Sequence, residues 1–207
     1  RIQLKIFLRA NKYSYFYGFK MIPVMKKIFT LFILALALIS CEQEEKKDPF
    51  LIAKNQVGLL TQDVQIKDLD SLYAQDSIVK QGKNQFRSGH QISVFDKKGN
   101  ELLLLTPVQK FDSTSTVATI QVKDARFKTE KGLTAKSTFK DITTNYKISR
   151  IENTLSNVII FLDEINAYIA IDKKHISGDA KYNTDIPVEP NQIPDDAEIK
   201  RFWIGWE

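Results

Sequence analysis

Apolar positions along this chain follow three spacings, and each predicts a different element. Ile28 to Ile39 is an apolar stretch of 12 residues broken only by Thr30, well short of the roughly 20 residues that a membrane-spanning helix needs. Ile66, Leu69 and Tyr73 fall at i, i+3 and i+7, as do Phe139, Ile142 and Tyr146, which puts each set on one face of a short helix. Apolar runs flanked by turn formers predict two hairpins. Gln91–Phe95 and Glu101–Leu105 flank Asp96-Lys97-Lys98-Gly99-Asn100, and Asn157–Leu162 and Ala167–Ile171 flank Asp163-Glu164-Ile165-Asn166. Val117 to Val122 reads as a further strand.

The two helical blocks echo each other. Residues 66–73 align without gaps on residues 139–146, with Lys67 and Lys140, Asp68 and Asp141, and Tyr73 and Tyr146 identical. A Gly-Leu pair precedes each block, Gly58-Leu59 or Gly132-Leu133, and a short strand-like piece precedes each pair, Phe50-Leu51-Ile52 or Arg126 to Thr129. Strand, Gly turn, helix and hairpin therefore recur in one order, the signature of an internal repeat. The expected fold is α+β: one domain over 49–207 made of two similar halves, about 50–110 and 120–175, each a mostly antiparallel sheet segment with one short helix. Thr138 followed by Asp141 predicts a capping box for the second helix, with Ser137 as the other candidate N-cap. Asp68 and Asp141 then favour the positive ends of their helices.

A C-terminal extension completes the domain. Pro187, Pro190 and Pro194 predict an extended loop, and Phe202-Trp203-Ile204 a terminal strand that closes the sheet with Trp203 buried. The other reading of the two tryptophans is a carbohydrate or partner surface, where aromatic rings sit beside polar groups.

The start of the chain carries an address. Met25-Lys26-Lys27 supplies positive charge, the apolar run follows, and Leu38-Ile39-Ser40-Cys41 ends in a small residue before the only cysteine. This resembles the lipobox of bacterial lipoprotein signal peptides. The resemblance implies that the Cys41 sulfur takes a diacylglycerol, that signal peptidase II cuts before it, and that the mature chain begins there. Residues 1–24 then read as an upstream extension, 25–40 as the signal peptide and 41–48 as a flexible acidic tether too poor in apolar residues to fold. Glu42, Glu44 and Glu45 directly after the cysteine are similar to the surface-export signal of Bacteroidetes lipoproteins. With the block from Lys131-Gly132-Leu133 through Ile142, these features resemble uncharacterised lipoproteins of Flavobacteria and related Bacteroidetes, a group with no assigned activity. The implied location is the outer membrane, lipid-anchored, on the periplasmic face or the cell surface.

Charge changes with processing. The whole chain is +5 with a pI near 9.1, but residues 1–40 hold seven Lys or Arg and no acid, which leaves 23 basic against 25 acidic side chains after cleavage. The basis for a nucleic-acid partner disappears with the leader. With Cys41 acylated, no thiol remains for a disulfide, a metal site or a nucleophile.

The sequence contains no Gly-x-Ser-x-Gly elbow, His-Glu-x-x-His helix, phosphate loop or dinucleotide fingerprint. Asp163-Glu164 and Asp195-Asp196 lack the spacing of a calcium loop. No catalytic, cofactor or metal residue is assigned. His90 and His175 are the available imidazoles, and an envelope hydrolase pairing one of them with a carboxylate is the alternative to a non-enzymatic binding or envelope-interaction module. From Lys123 to Arg150, eight bases face three acids. An anionic envelope component is therefore expected at the start of the second helix, on Lys131, Lys136, Ser137, Thr138 and Lys140, where backbone N–H groups and lysine charge add. A partner protein is the other expected ligand.

Overall fold

The computed structural model describes residues 48–80 and 90–206. The upstream extension, the signal segment, Cys41 and all of the tether except Asp48 lie outside the described residues. The described part opens with three short strands, β1 (Leu51–Ala53), β2 (Gln56–Val57) and β3 (Leu60–Thr61). A 3-10 turn, Ile66–Asp68, leads into α1 (Leu69–Leu72). Four strands follow: β4 (Ser77–Lys80), β5 (Ile92–Phe95), β6 (Glu101–Pro107) and β7 (Val117–Val122). After β8 (Lys128–Thr129) and α2 (Phe139–Asn145) come β9 (Arg150–Asn153), β10 (Asn157–Leu162), β11 (Ala167–Asp172) and β12 (Ile199–Gly205).

The fold is mixed α and β in two mostly antiparallel sheets. The large sheet has eight strands in the order β4-β5-β6-β7-β12-β11-β10-β9. This order is a mirror of itself in connectivity: α1 feeds the antiparallel meander β4 to β7, α2 feeds the meander β9 to β12, and the two meanders meet at their final strands. At that joint Phe202 lies opposite Val122 and Ile204 opposite Ile120. The parallel between halves runs past the sequence repeat, since β4 starts four residues after Tyr73 and β9 four residues after Tyr146.

The small sheet ties the halves together. Its order is β3-β2-β1-β8, and β1 and β8, one from each half, pair in parallel with Leu51 beside Lys128 and Ile52 beside Thr129. The chain reverses after β2 at Gly58, whose φ of +60° suits glycine because a Cβ is crowded in that region. Its N–H donates to the Leu51 carbonyl at 2.7 Å.

Alternation along the strands divides the large sheet into two faces. Leu103, Leu105, Ile120, Ile160, Ile169, Phe202 and Ile204 are buried. They join one core with Leu69, Tyr73, Phe139, Ile142 and Tyr146 from the two helical blocks and with Ile52, Leu60 and Phe127 from around the small sheet. Each such side chain contributes on the order of 1.5–3 kcal/mol by leaving water. The other face carries the partner residues of the alternation, most of them half-buried to exposed, with the small Ser93 and Ala170 buried among them.

The C-terminal strand differs from its expected role. β12 sits in the middle of the large sheet rather than closing an edge, and Trp203 lies half-buried on the outer face. Trp206 is the buried tryptophan, and its Nε1 donates to the Lys54 carbonyl at 3.1 Å. The pleat decides this: Phe202 and Ile204 take the core side, so Trp203 between them must point away.

Candidate functional site

The residues expected to hold an anion lie around α2, where the backbone donors of the helix start and the Lys131 and Lys140 ammonium groups are engaged within the chain. Thr138 is the N-cap, and its N–H donates to Asp141 Oδ2 at 2.7 Å in the capping box. The Phe139 N–H goes to the Ala197 carbonyl and the Lys140 N–H to the Asp195 carbonyl, both at 2.9 Å. Backbone from the C-terminal loop thus occupies the helix start that an anion would use. Ser137 Oγ accepts from the Thr134 N–H at 3.1 Å, and the Lys136 N–H donates to Thr134 Oγ1 at 3.1 Å in the same turn. Lys140 Nζ pairs with Asp195 at 3.2 Å. Lys131 pairs with Glu164 and lies 4.7 Å above the Tyr146 ring.

The positive excess of residues 123–150 is also offset in space. Lys123 faces Glu101, Arg126 bridges Asp96 and Asp124, and Arg150 reaches Glu152. Acids remote in sequence supply much of the compensation, so charge counted along the chain overstates the local field.

The histidines are held differently. His90 adopts φ +50° and its ring packs on Phe111, with 3.5 Å between ring centroids. Both border a cavity of about 240 Å³ with Ile66, Lys67, Ile92 and Asp112. His90 Nδ1 is buried and has no hydrogen-bond partner. The Asp112 carboxylate turns to its own loop, where Oδ1 accepts from the Thr114 hydroxyl at 2.7 Å and the Thr114 N–H at 2.8 Å. Those bonds, the side-chain one first, hold its carboxyl below the usual range. His175 ends a 3-10 turn, Lys173–His175. Among the described residues, neither histidine forms an ion pair with a carboxylate, and no group of three His, Cys, Asp or Glu is arranged to hold a metal ion.

Two surface features were not visible in the sequence. The first is a row across the outer face of the large sheet, in which Arg150, Phe161, Tyr168, Trp203 and Gln121 lie on consecutive strands in register. Phe161 and Tyr168 stack with centroids 6.1 Å apart, and Tyr168 and Trp203 with centroids 5.2 Å apart. The Arg150 guanidinium lies 4.0 Å over Phe161. Rings that stack at this spacing cover one another's faces, so the ladder chiefly stabilises the sheet through cross-strand pairs.

The second feature is a depression of about 330 Å³ at the far end of β10 and β11. Lys173, Lys174, Lys181 and Lys200 border it, with Leu155 and Tyr182. These residues come from four separate stretches of chain, and only the pairing of β10 with β11 and of β11 with β12 brings them together.

No protein-family model matches the chain, and comparison with curated proteins finds no match. Among solved structures, it is similar to the crystal structure of the uncharacterized protein yfeY from Escherichia coli. The TM-score is 0.49 and the identity 13%, over 75% of this chain and 99% of that one. Likeness at that level carries no functional argument.

Proposed function

We propose that this protein is a lipid-anchored component of the bacterial cell envelope that acts as a non-enzymatic binding or interaction module. The observation that carries the reading is the segment from Met25 to Cys41: a basic start, a short apolar run and a small residue before the only cysteine. That arrangement suits an exported chain that is cut and acylated at Cys41. Two or three acyl chains hold a protein firmly, at about 0.8 kcal/mol per buried CH₂, where one chain binds only reversibly. The outer membrane is the proposed site, with the domain held by the short acidic tether.

Binding rather than catalysis is favoured by how the candidate chemical groups are engaged. His90 packs on Phe111, while Asp112 spends its carboxylate on Thr114. The test is metabolic labelling with palmitate, followed by cross-linking and capture from the protein's own membrane. Wild type is expected to carry label and co-purify an envelope partner. Cys41→Ser is expected to remain unlabelled and to appear as a soluble or uncleaved product. Label persisting in that variant would overturn the anchor.

A further inference from the structure

We infer that the end of the large sheet where the β9–β10 hairpin meets β11 is a docking surface for an anionic phospholipid bilayer. Leu155 is 89% exposed and Tyr182 85%, the highest values among the exposed large hydrophobic side chains described. Single exposed apolar residues are ordinary. Here two of them border one depression together with Lys173, Lys174, Lys181 and Lys200.

Leu155 is held outward by a built turn. The Thr154 N–H donates to the Asn157 carbonyl at 3.0 Å, and the Thr154 hydroxyl donates to the same carbonyl at 2.7 Å. Lys173, itself buried, reaches across: its Nζ donates to the Thr154 carbonyl at 3.0 Å and its N–H to the Ser156 carbonyl at 3.1 Å. The hairpin end is therefore fixed against β11 while its leucine faces water.

The charge here is in surplus, unlike that of residues 123–150. The one carboxylate bordering the depression is Asp172, which pairs with Lys200 at 3.0 Å and accepts from the Lys174 N–H at 3.0 Å. Lys181 Nζ donates to a neutral group, the Lys174 carbonyl, at 3.1 Å. With the Lys173 ammonium buried on the Thr154 carbonyl, the lysines left to meet a ligand here are Lys174, Lys181 and Lys200, with one carboxylate among them, around the exposed Leu155 and Tyr182.

A bilayer interface meets each of these features. Leucine enters the acyl boundary, tyrosine settles at headgroup depth, and lysine stems lie along apolar surface while their ammonium groups meet phosphate. An anionic surface strengthens binding about five-fold for each nearby lysine. A free phosphate would use the lysines and leave the exposed leucine and tyrosine without a role.

This inference rests on the lipid-anchored reading. The eight residues from Cys41 to Asp48 make seven steps and reach at most about 25 Å, which keeps the domain close to its membrane and makes even a weak patch effective.

The test uses the mature, membrane-inserted protein carrying Ser156→Cys with a polarity-sensitive dye on the introduced thiol. Acylated Cys41 is a thioether and takes no dye, so labelling of the unmutated protein reports failure of the anchor separately. In phosphatidylcholine vesicles doped with phosphatidylglycerol, the dye should shift to the blue and become several-fold less accessible to an aqueous quencher than in pure phosphatidylcholine. High salt should reverse the shift, since surface charge is screened over about 8 Å at physiological ionic strength. The same dye introduced by Val79→Cys on edge strand β4 should remain accessible, and Lys174→Glu with Lys181→Glu should abolish the shielding at position 156. Equal accessibility in both vesicle types, or shielding that survives the double substitution, would overturn the proposal.

Discussion

Trp206 and Lys54 are joined by a 3.1 Å hydrogen bond from the indole Nε1 to the Lys54 carbonyl, across 152 residues of sequence. The same tryptophan donates its backbone N–H to the Ala118 carbonyl at 2.8 Å and accepts at its own carbonyl from Gln62 Nε2 at 3.0 Å. It therefore clamps the exit of β12 to the small sheet and to β7. Trp206→Phe removes the indole donor and strands a carbonyl, which should cost about 1 kcal/mol. Trp206→Ala should cost about 3–5 kcal/mol through the cavity as well. Urea unfolding checks both, with the midpoint falling and the slope unchanged.

The two glycines of the repeat should respond unequally to alanine. Gly132 has φ +83° and open space where a Cβ would stand, so Gly132→Ala should cost about 1 kcal/mol, from backbone strain alone. At Gly58, with φ +60°, the added carbon would run into the Pro49 carbonyl and lie 2.9 Å from the Phe127 ring. Gly58→Ala should therefore cost at least about 3 kcal/mol, since overpacking adds to strain. Equal losses in thermal melts of the two variants would contradict this.

Tyr73 and Tyr146 occupy matching places in the repeat and both are buried. The Tyr73 hydroxyl has no hydrogen-bond partner, and burial first, then the nearby Asp76 charge, pushes its ionisation above the usual range. Removing an unpaired buried hydroxyl relieves a desolvation cost, so Tyr73→Phe should leave stability unchanged or raise it by about 1 kcal/mol. Guanidinium unfolding should register no loss.

Asp96 organises the β5–β6 loop. It accepts from Asn100, from the Lys98 N–H at 2.9 Å and from Arg126 at 2.8 Å. The Asn100 side-chain bond foremost, then the other bonds to the loop and Arg126, hold its carboxyl well below the usual range. A carboxyl that is more acidic when folded stabilises the protein above its unfolded value of about 3.9, and that contribution fades as pH falls further. Asp96→Asn should therefore lower the melting temperature at neutral pH and flatten its decline below about pH 4. A variant whose acid limb parallels that of wild type would exclude the role.

Local periodicity made much of this fold legible. The i, i+3, i+7 spacing located α1 and α2, turn chemistry located the hairpins β5–β6 and β10–β11, and Thr138 with Asp141 located a helix start. β4 and β9 escaped because they are edge strands, and Ser77-Ile78-Val79-Lys80 and Arg150-Ile151-Glu152-Asn153 carry the polar ends that keep an edge from pairing further. The position of β12 escaped because strand order is a long-range property that no local pattern encodes. The charge balance of residues 123–150 is long-range for a related reason: Glu101, Glu164 and Asp195, which pair with Lys123, Lys131 and Lys140, lie outside that segment. The lysine-lined depression assembles from residues 155, 173–174, 181–182 and 200, none of which forms a charge run by itself.

The meeting of β7 with β12 has a consequence for how the chain comes to be folded. Residues 123 to 198 separate these two strands, so the central pairing is among the most distant in sequence and should form slowly. Until β12 arrives, the first meander ends in the long, apolar edge of β7, open to any other strand that can add to it. A chain delivered N-terminus first carries that open edge through most of its delivery, and any interruption before Ile199 leaves it permanently exposed. The C-terminal strand is thus a lock that the chain supplies late to an edge it exposes early.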